Sequence, residues 1–127
     1  MTRFLLVAAG GAIGSVARYG VGMAAQRLAP ASAWPWGTLV VNVAGGLMMG
    51  LLAGWLHRGA ADQADLRTLI GVGLLGGFTT FSAFSLETAL MIERREIGAA
   101  ALYVGLSVLL AVAALFIGLI IARRVFA

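Results

Sequence analysis

Four apolar runs, separated by short polar segments, organise the chain. The first extends from Phe4 to about Ala25 and is interrupted only by Arg18. The second runs from Trp36 to Leu56, the third from about Thr68 to Ile92, and the fourth from Ala99 to Ala122. Each approaches the ~20 residues an α-helix needs to cross ~30 Å of hydrocarbon. The pattern predicts an all-α membrane protein: four transmembrane helices over about 4–25, 36–56, 68–92 and 99–122, forming a single domain over residues 1–127. Pro35 suits a helix start, where its fixed φ and missing amide cost nothing. The first run is too long for the apolar core of a secretory signal and reads as a retained helix. The connections 26–35, 57–67 and 93–98 leave no room for a soluble domain.

Composition sharpens this picture. Apolar residues make up 61% of the 127 and charged residues 11%, against about 45–50% and 25% in ordinary globular domains. Mean hydropathy is +1.00. Cysteine is absent, which removes disulfides and thiolate metal sites. All nine basic residues are arginine, placed singly or in pairs between apolar runs. A nucleic-acid face would cluster them, so no nucleic-acid partner is expected. Trp34, Trp36, Trp55 and Tyr103 fall at or near span ends, where an aromatic belt would lie, and His57 reads as interfacial.

Four spans place both termini and the middle connection on one side. That side holds Arg3, Arg58, Arg67, Arg123 and Arg124; the other holds Arg27, Arg94 and Arg95, joined by Arg18 if it reaches the interface. So slight an excess is a weak topological instruction. It fits either one fixed orientation or insertion both ways, with opposed copies pairing about a two-fold axis in the membrane plane. One four-helix bundle has little interior for a pathway. The small-residue ridges Gly10, Gly11, Gly14 and Gly45, Gly46, Gly50 suit close helix approach, either within a chain or between chains.

Polar residues inside the spans are few. Asn42 lies a third of the way into the second, and Arg18 some fourteen residues into the first. Glu87 is the only acid within a span; it is placed to cap its helix, pair with arginine or line a vestibule. The densest cluster is in the third span: Gly73, Gly76, Gly77, Phe78, Thr79, Thr80, Phe81, Ser82, Ala83, Phe84, Ser85. Paired glycines and paired threonines are poor filling for a continuous helix. They predict a break, whose freed carbonyls and amides must be satisfied internally or by an ion such as Na⁺. Beyond the break Phe81 and Phe84 share a face, with Ser82 and Ser85 on a neighbouring stripe. Tyr103 and Ser107 are one turn apart in the last span. No catalytic grouping is present, so no enzyme is expected. The interior offers amide and hydroxyl donors and aromatic edges, which carry partial positive charge and suit a small anion.

These residues resemble a known family. Gly76-Gly77-Phe78-Thr79-Thr80-Phe81-Ser82-Ala83-Phe84-Ser85 resembles the G-G-x-T-T-F-S-T-F-S signature of the Fluc/CrcB fluoride channels. Gly10-Gly11-x-x-Gly14-x-x-x-Arg18-Tyr19 and Trp36-Gly37-Thr38-Leu39-Val40-Val41-Asn42 are similar to that family's first- and second-helix motifs. The resemblance implies a multi-pass protein of the bacterial inner membrane that exports fluoride passively. HF crosses uncharged, dissociates in the more alkaline cytoplasm and is trapped there, and the channel relieves that accumulation. It implies a dual-topology antiparallel homodimer with two pores. A structural Na⁺ at the dimer centre would be held by the carbonyls of Gly76 and Thr79. Phe81 and Phe84 would form the aromatic pore lining and Asn42 the pore amide. Ser82, Tyr103 and Ser107 would line a polar track, with Arg18 and Glu87 in a vestibule. Ala83 stands where the motif has Thr, and Ala111 where some members carry a hydroxyl. The alternatives are a small dual-topology multidrug exporter, which would want a carboxylate in the first span where this chain has Arg18, and a non-transporting membrane assembly subunit.

Overall fold

The computed structural model describes residues 1–56 and 63–125; His57 and Arg58 lie outside them. The described chain is helical. The first helix is Thr2–Leu28, the second Trp36–Leu56 and the last Ile97–Val125. The third crossing, Ala64–Glu93, is broken. Its leading half comprises Ala64–Arg67, a wide π-helical stretch Thr68–Leu75, and the turn Gly76–Phe78. Residues 79–81 are not helical, and the trailing half is Ser82–Glu93. All four segments are long and apolar enough to cross a membrane.

Local chemistry explains the turns. After the first helix, the Ser32 hydroxyl accepts both the Trp34 amide and the Trp36 indole N–H, each at 3.1 Å, which folds the connection back into Pro35 and the second helix. The trailing half ends in a Schellman arrangement: the Glu96 amide bonds the Met91 carbonyl and the Arg95 amide the Ile92 carbonyl, both at 2.9 Å. Arg95 takes the left-handed position at φ 62°, where glycine is usual. Outside the membrane core, Arg3 Nε meets Asp65 Oδ1 at 3.1 Å, placing the chain's start beside that of the third crossing.

The packing is two pairs of helices: the first helix along the leading half of the third crossing, and the second along the last. Glycines make both contacts possible. A Cβ at Gly14 would overlap the Leu74 carbonyl and stand 2.8 Å from the Phe78 amide; one at Gly77 would come within 2.6 Å of the Gly11 carbonyl. Across the second pair, a Cβ at Gly46 would stand 2.6 Å from the Ala111 carbonyl, and one at Gly50 would overlap that of Leu115. Both ridges are therefore occupied within one chain. The π-helical stretch contributes to this fit, because its five-residue spacing sets the Leu69 carbonyl and the Leu74 amide against the same glycine, Gly10.

Little of the apolar surface is consumed. In the first and last helices only 11% of the spanning window is buried. A compact cluster of Leu39, Met91, Ala100 and Tyr103, flanked by Trp34, Val43 and Phe84, joins the second helix, the trailing half and the last helix. Tyr103 is completely buried there, so it belongs to the interior and not to an interfacial belt.

Candidate functional site

The break in the third crossing is the centre of the site. Thr79 leaves the helix at φ −76°, ψ 160°, an extended conformation. Its amide and its hydroxyl both bond the Leu75 carbonyl, at 3.0 and 2.9 Å, which finishes the leading half. The next amide, of Thr80, would in a continuing helix reach the Gly76 carbonyl. Instead it donates to Asn42 Oδ1 at 2.9 Å, while Asn42 Nδ2 donates to the Thr80 carbonyl at 2.9 Å. An amide side chain mimics a peptide unit, so Asn42 pairs with the irregular backbone as a neighbouring strand would. The Thr80 hydroxyl accepts the Ala83 amide at 3.2 Å and caps the trailing half. That amide is in turn the one a continuous helix would give to Thr79. The two carbonyls named from the sequence, Gly76 and Thr79, are among the four that lose their helical donors at the break, with Gly77 and Phe78; theirs are the two whose donors are taken by side chains.

Beside the break lies a groove of about 430 Å³. Asn42, Thr79, Thr80, Phe81, Phe84 and Ser107 border it, with Gly45, Gly46 and Ala111 among the small residues that form its floor. The Phe81 and Phe84 rings stand 5.5 Å apart at 42°. Phe81 is 78% exposed and forms the outer rim, whereas Phe84 continues inward onto Tyr103 at 5.3 Å. The Ser107 hydroxyl is buried and has no hydrogen-bond partner among the described residues. The groove is therefore largely apolar, walled by the two rings and by Met49, Val108, Val112 and Leu115, with one amide and a few hydroxyls set among them and no charged side chain among the described residues.

Of the residues singled out in the sequence, the structure brings Asn42, Phe81, Phe84, Ser107 and Thr79 to this groove. Tyr103 and Ser82 do not border it. Tyr103 lies behind Phe84, and the Ser82 hydroxyl sits 3.3 Å from that of Thr80. The Ser85 hydroxyl bonds only its own helix, at the Phe81 carbonyl. Arg18 is half-buried, borders neither this groove nor the next, and makes no ion pair among the described residues.

Glu87 neither caps a helix nor meets an arginine. Its Oε1 accepts the Thr38 hydroxyl and its Oε2 the Tyr103 hydroxyl, both at 2.7 Å. The three side chains come from the second helix, the trailing half and the last helix and tie them together. Glu87 and Thr38 also border a polar pocket of about 230 Å³ beneath the 29–35 connection, with Gln26, Ser32 and Trp34. Thr38 was quoted from the sequence only as part of the second-helix motif and given no role; its place there, four residues before Asn42 on the same helix, was the available signal. Tyr103→Phe removes one of two donors to a half-buried carboxyl group. It is expected to cost about 1–3 kcal/mol, read as a lower midpoint in thermal unfolding of the detergent-purified protein.

Comparison with known proteins agrees with this architecture. The family model described as "CrcB-like protein, Camphor Resistance (CrcB)" matches residues 5–119. A protein of Caulobacter sp. (strain K31) named "Fluoride-specific ion channel FluC" is 65% identical over 99% of this chain and 98% of its own length. Proteins of the same name from Phenylobacterium zucineum and Caulobacter vibrioides are 63% and 61% identical, each over the full length of both chains.

Proposed function

Since the chain belongs to the CrcB family, we propose that it is a fluoride-specific channel of the bacterial inner membrane, passing fluoride passively out of the cytoplasm. The observation that carries this reading is the groove beside the break, where two phenylalanine rings, an amide and hydroxyls stand among aliphatic side chains with no cation to trap an anion. Fluoride holds water strongly, and a narrow passage has to replace that shell with donors. Phe81 and Phe84 supply positive ring edges without a full charge, so the ion is stabilised but not held. Asn42 has one amide hydrogen beyond the one given to Thr80. Ser107 supplies an uncommitted hydroxyl, with the Ser82 hydroxyl a short step along the trailing half. Tyr103 and Glu87 extend the polar path toward the pocket under the 29–35 connection, where Glu87 forms a vestibule wall. Arg18, on the first helix, borders neither the groove nor the pocket and would act on the anion only through its long-range positive potential. No step calls for bond making, and the protein is a pathway and not an enzyme.

The groove is a half-pore. Its rim residue Phe81 has an open outer side, and a second wall is supplied by an antiparallel copy, giving two pores per homodimer. The near balance of arginines between the two sides suits a chain that inserts in both orientations. The same arrangement accounts for a Na⁺ ion at the dimer centre. The donor chemistry fits: Gly76 and Thr79 each present a carbonyl whose helical donor is engaged elsewhere, and hard cations take oxygen ligands. Two carbonyls per chain become four when two chains meet, and the ion would lock the subunits together.

The direct test is efflux from proteoliposomes followed with a fluoride electrode. Fluoride-loaded vesicles should empty rapidly and chloride-loaded vesicles should not. Absence of fluoride release, or equal release of both halides, would count against the channel.

A further inference from the structure

The break persists only if the donors that would close it are kept occupied. A helix missing one hydrogen bond tends to restore it, because an unpaired amide within a membrane costs several kcal/mol. Of the four amides that a continuous helix would use here, those of Phe81 and Ser82 make no backbone bond among the described residues and those of Thr80 and Ala83 are held by side chains. Thr80 N–H, four residues beyond Gly76, is held by Asn42 Oδ1 at 2.9 Å. Ala83 N–H, four residues beyond Thr79, is held by Thr80 Oγ1 at 3.2 Å.

We propose that Asn42 and Thr80 are positioning residues for the central cation: by taking these two amides they hold the carbonyls of Gly76 and Thr79 free. The inference rests on the reading that those carbonyls bind Na⁺, and it adds a function for side chains that touch neither the ion nor each other's carbonyl targets. Asn42 reaches across from the second helix, 38 residues away in sequence, so the break is maintained by a tertiary contact and not by the local Gly/Thr sequence alone. It also follows that the anion groove and the cation site share parts. Asn42 and Thr80 border the groove while their hydrogen bonds shape the carbonyl cradle behind it.

Substitutions that keep or remove the acceptor oxygen separate this role from a pore contact. Asn42→Asp keeps an oxygen for the Thr80 amide, and Thr80→Ser keeps the hydroxyl for Ala83. Asn42→Ala and Thr80→Val remove these acceptors and release the amides toward Gly76 and Thr79. The readout is the Na⁺ concentration giving half of the thermal stabilisation of the full-length detergent-purified protein, with N-methyl-D-glucamine as the replacing cation. Asn42→Ala and Thr80→Val should each raise that concentration at least about tenfold, the order expected for losing an oxygen partner of a charged group. Asn42→Asp and Thr80→Ser should stay within about threefold of the parent on the same scale, even though the added carboxyl of Asn42→Asp is expected to suppress fluoride flux. An unchanged Na⁺ response in Asn42→Ala or Thr80→Val would overturn the inference. So would a tenfold rise in Asn42→Asp or Thr80→Ser, which remains decisive if the larger changes prevent folding. A parent protein indifferent to Na⁺ would overturn the cation reading itself, and this inference with it.

Discussion

Phe81→Ile and Phe84→Ile should each slow fluoride efflux from proteoliposomes at least about tenfold, and together about a hundredfold. Isoleucine is apolar and tolerated in a membrane helix, so the trailing half should form. What it lacks is the ring quadrupole, whose positive edge stands beside the Asn42 and Ser107 donors as a favourable electrostatic feature of the groove. The loss of a favourable ring contact is worth of order 0.5–1.5 kcal/mol, and 1.4 kcal/mol is one decade. An ion stripped of water in a low-dielectric passage puts each ring near the upper end of that range. Phe81 is largely exposed on the isolated chain, so its replacement costs little in packing. Phe84 leans on Tyr103 at 5.3 Å and will lose some stability as well. Normal efflux by both variants would remove the two rings from the pathway.

The second large effect falls on folding. Gly14→Leu and Gly50→Leu should abolish recovery of monodisperse protein. In each case the first carbon of the new side chain would overlap a backbone carbonyl, of Leu74 or Leu115, and no rotamer change relieves a clash with backbone. Overpacking usually costs about 1–3 kcal/mol, and here a whole helix would have to move. The controls lie in the first helix, with Gly14, and in the last helix, against which Gly50 packs. Gly20 and Gly105 have nothing within 4 Å of a built Cβ. Gly20→Ala and Gly105→Ala should therefore be neutral or stabilising by up to about 1 kcal/mol through helix propensity. Size-exclusion profiles and thermal midpoints of the four variants decide the matter. Equal behaviour of all four would mean that the ridges do not carry the packing.

The glycine ridges mark how far the sequence could be read. Spacing identified surfaces of close approach but could not say what approaches. The structure uses Gly10 and Gly14 against the third crossing and Gly46 and Gly50 against the last helix, all within one chain. The break was expected around Gly76–Thr80. It falls at residues 79–81, after Gly76 and Gly77 have completed a helical turn. The π-helical stretch ahead of it had no local signature, because its geometry follows from fitting against the first helix.

Other details that the sequence left open have the same origin. Tyr103 was grouped with the interfacial tryptophans because it lies near the start of its span, yet the trailing half covers it and turns its hydroxyl onto Glu87. For Glu87 a cap, an arginine and a vestibule were all open, and the hydroxyl pair of Thr38 and Tyr103 was not among them. Asn42 was expected to serve the pore, and half of its donor capacity is spent on the backbone of Thr80.

Length, hydropathy and the placement of breakers are properties that accumulate along the chain. They were enough to establish four crossings, a weak orientation signal, an irregular third crossing and an interior of donors without buried acid pairs. The choice of partner for each polar group is settled through space, by which donor reaches an acceptor first when helices from distant parts of the chain meet. Only the tertiary structure could therefore decide that Asn42 braces the break, that Glu87 joins three helices, and that the rings of Phe81 and Phe84 border one groove.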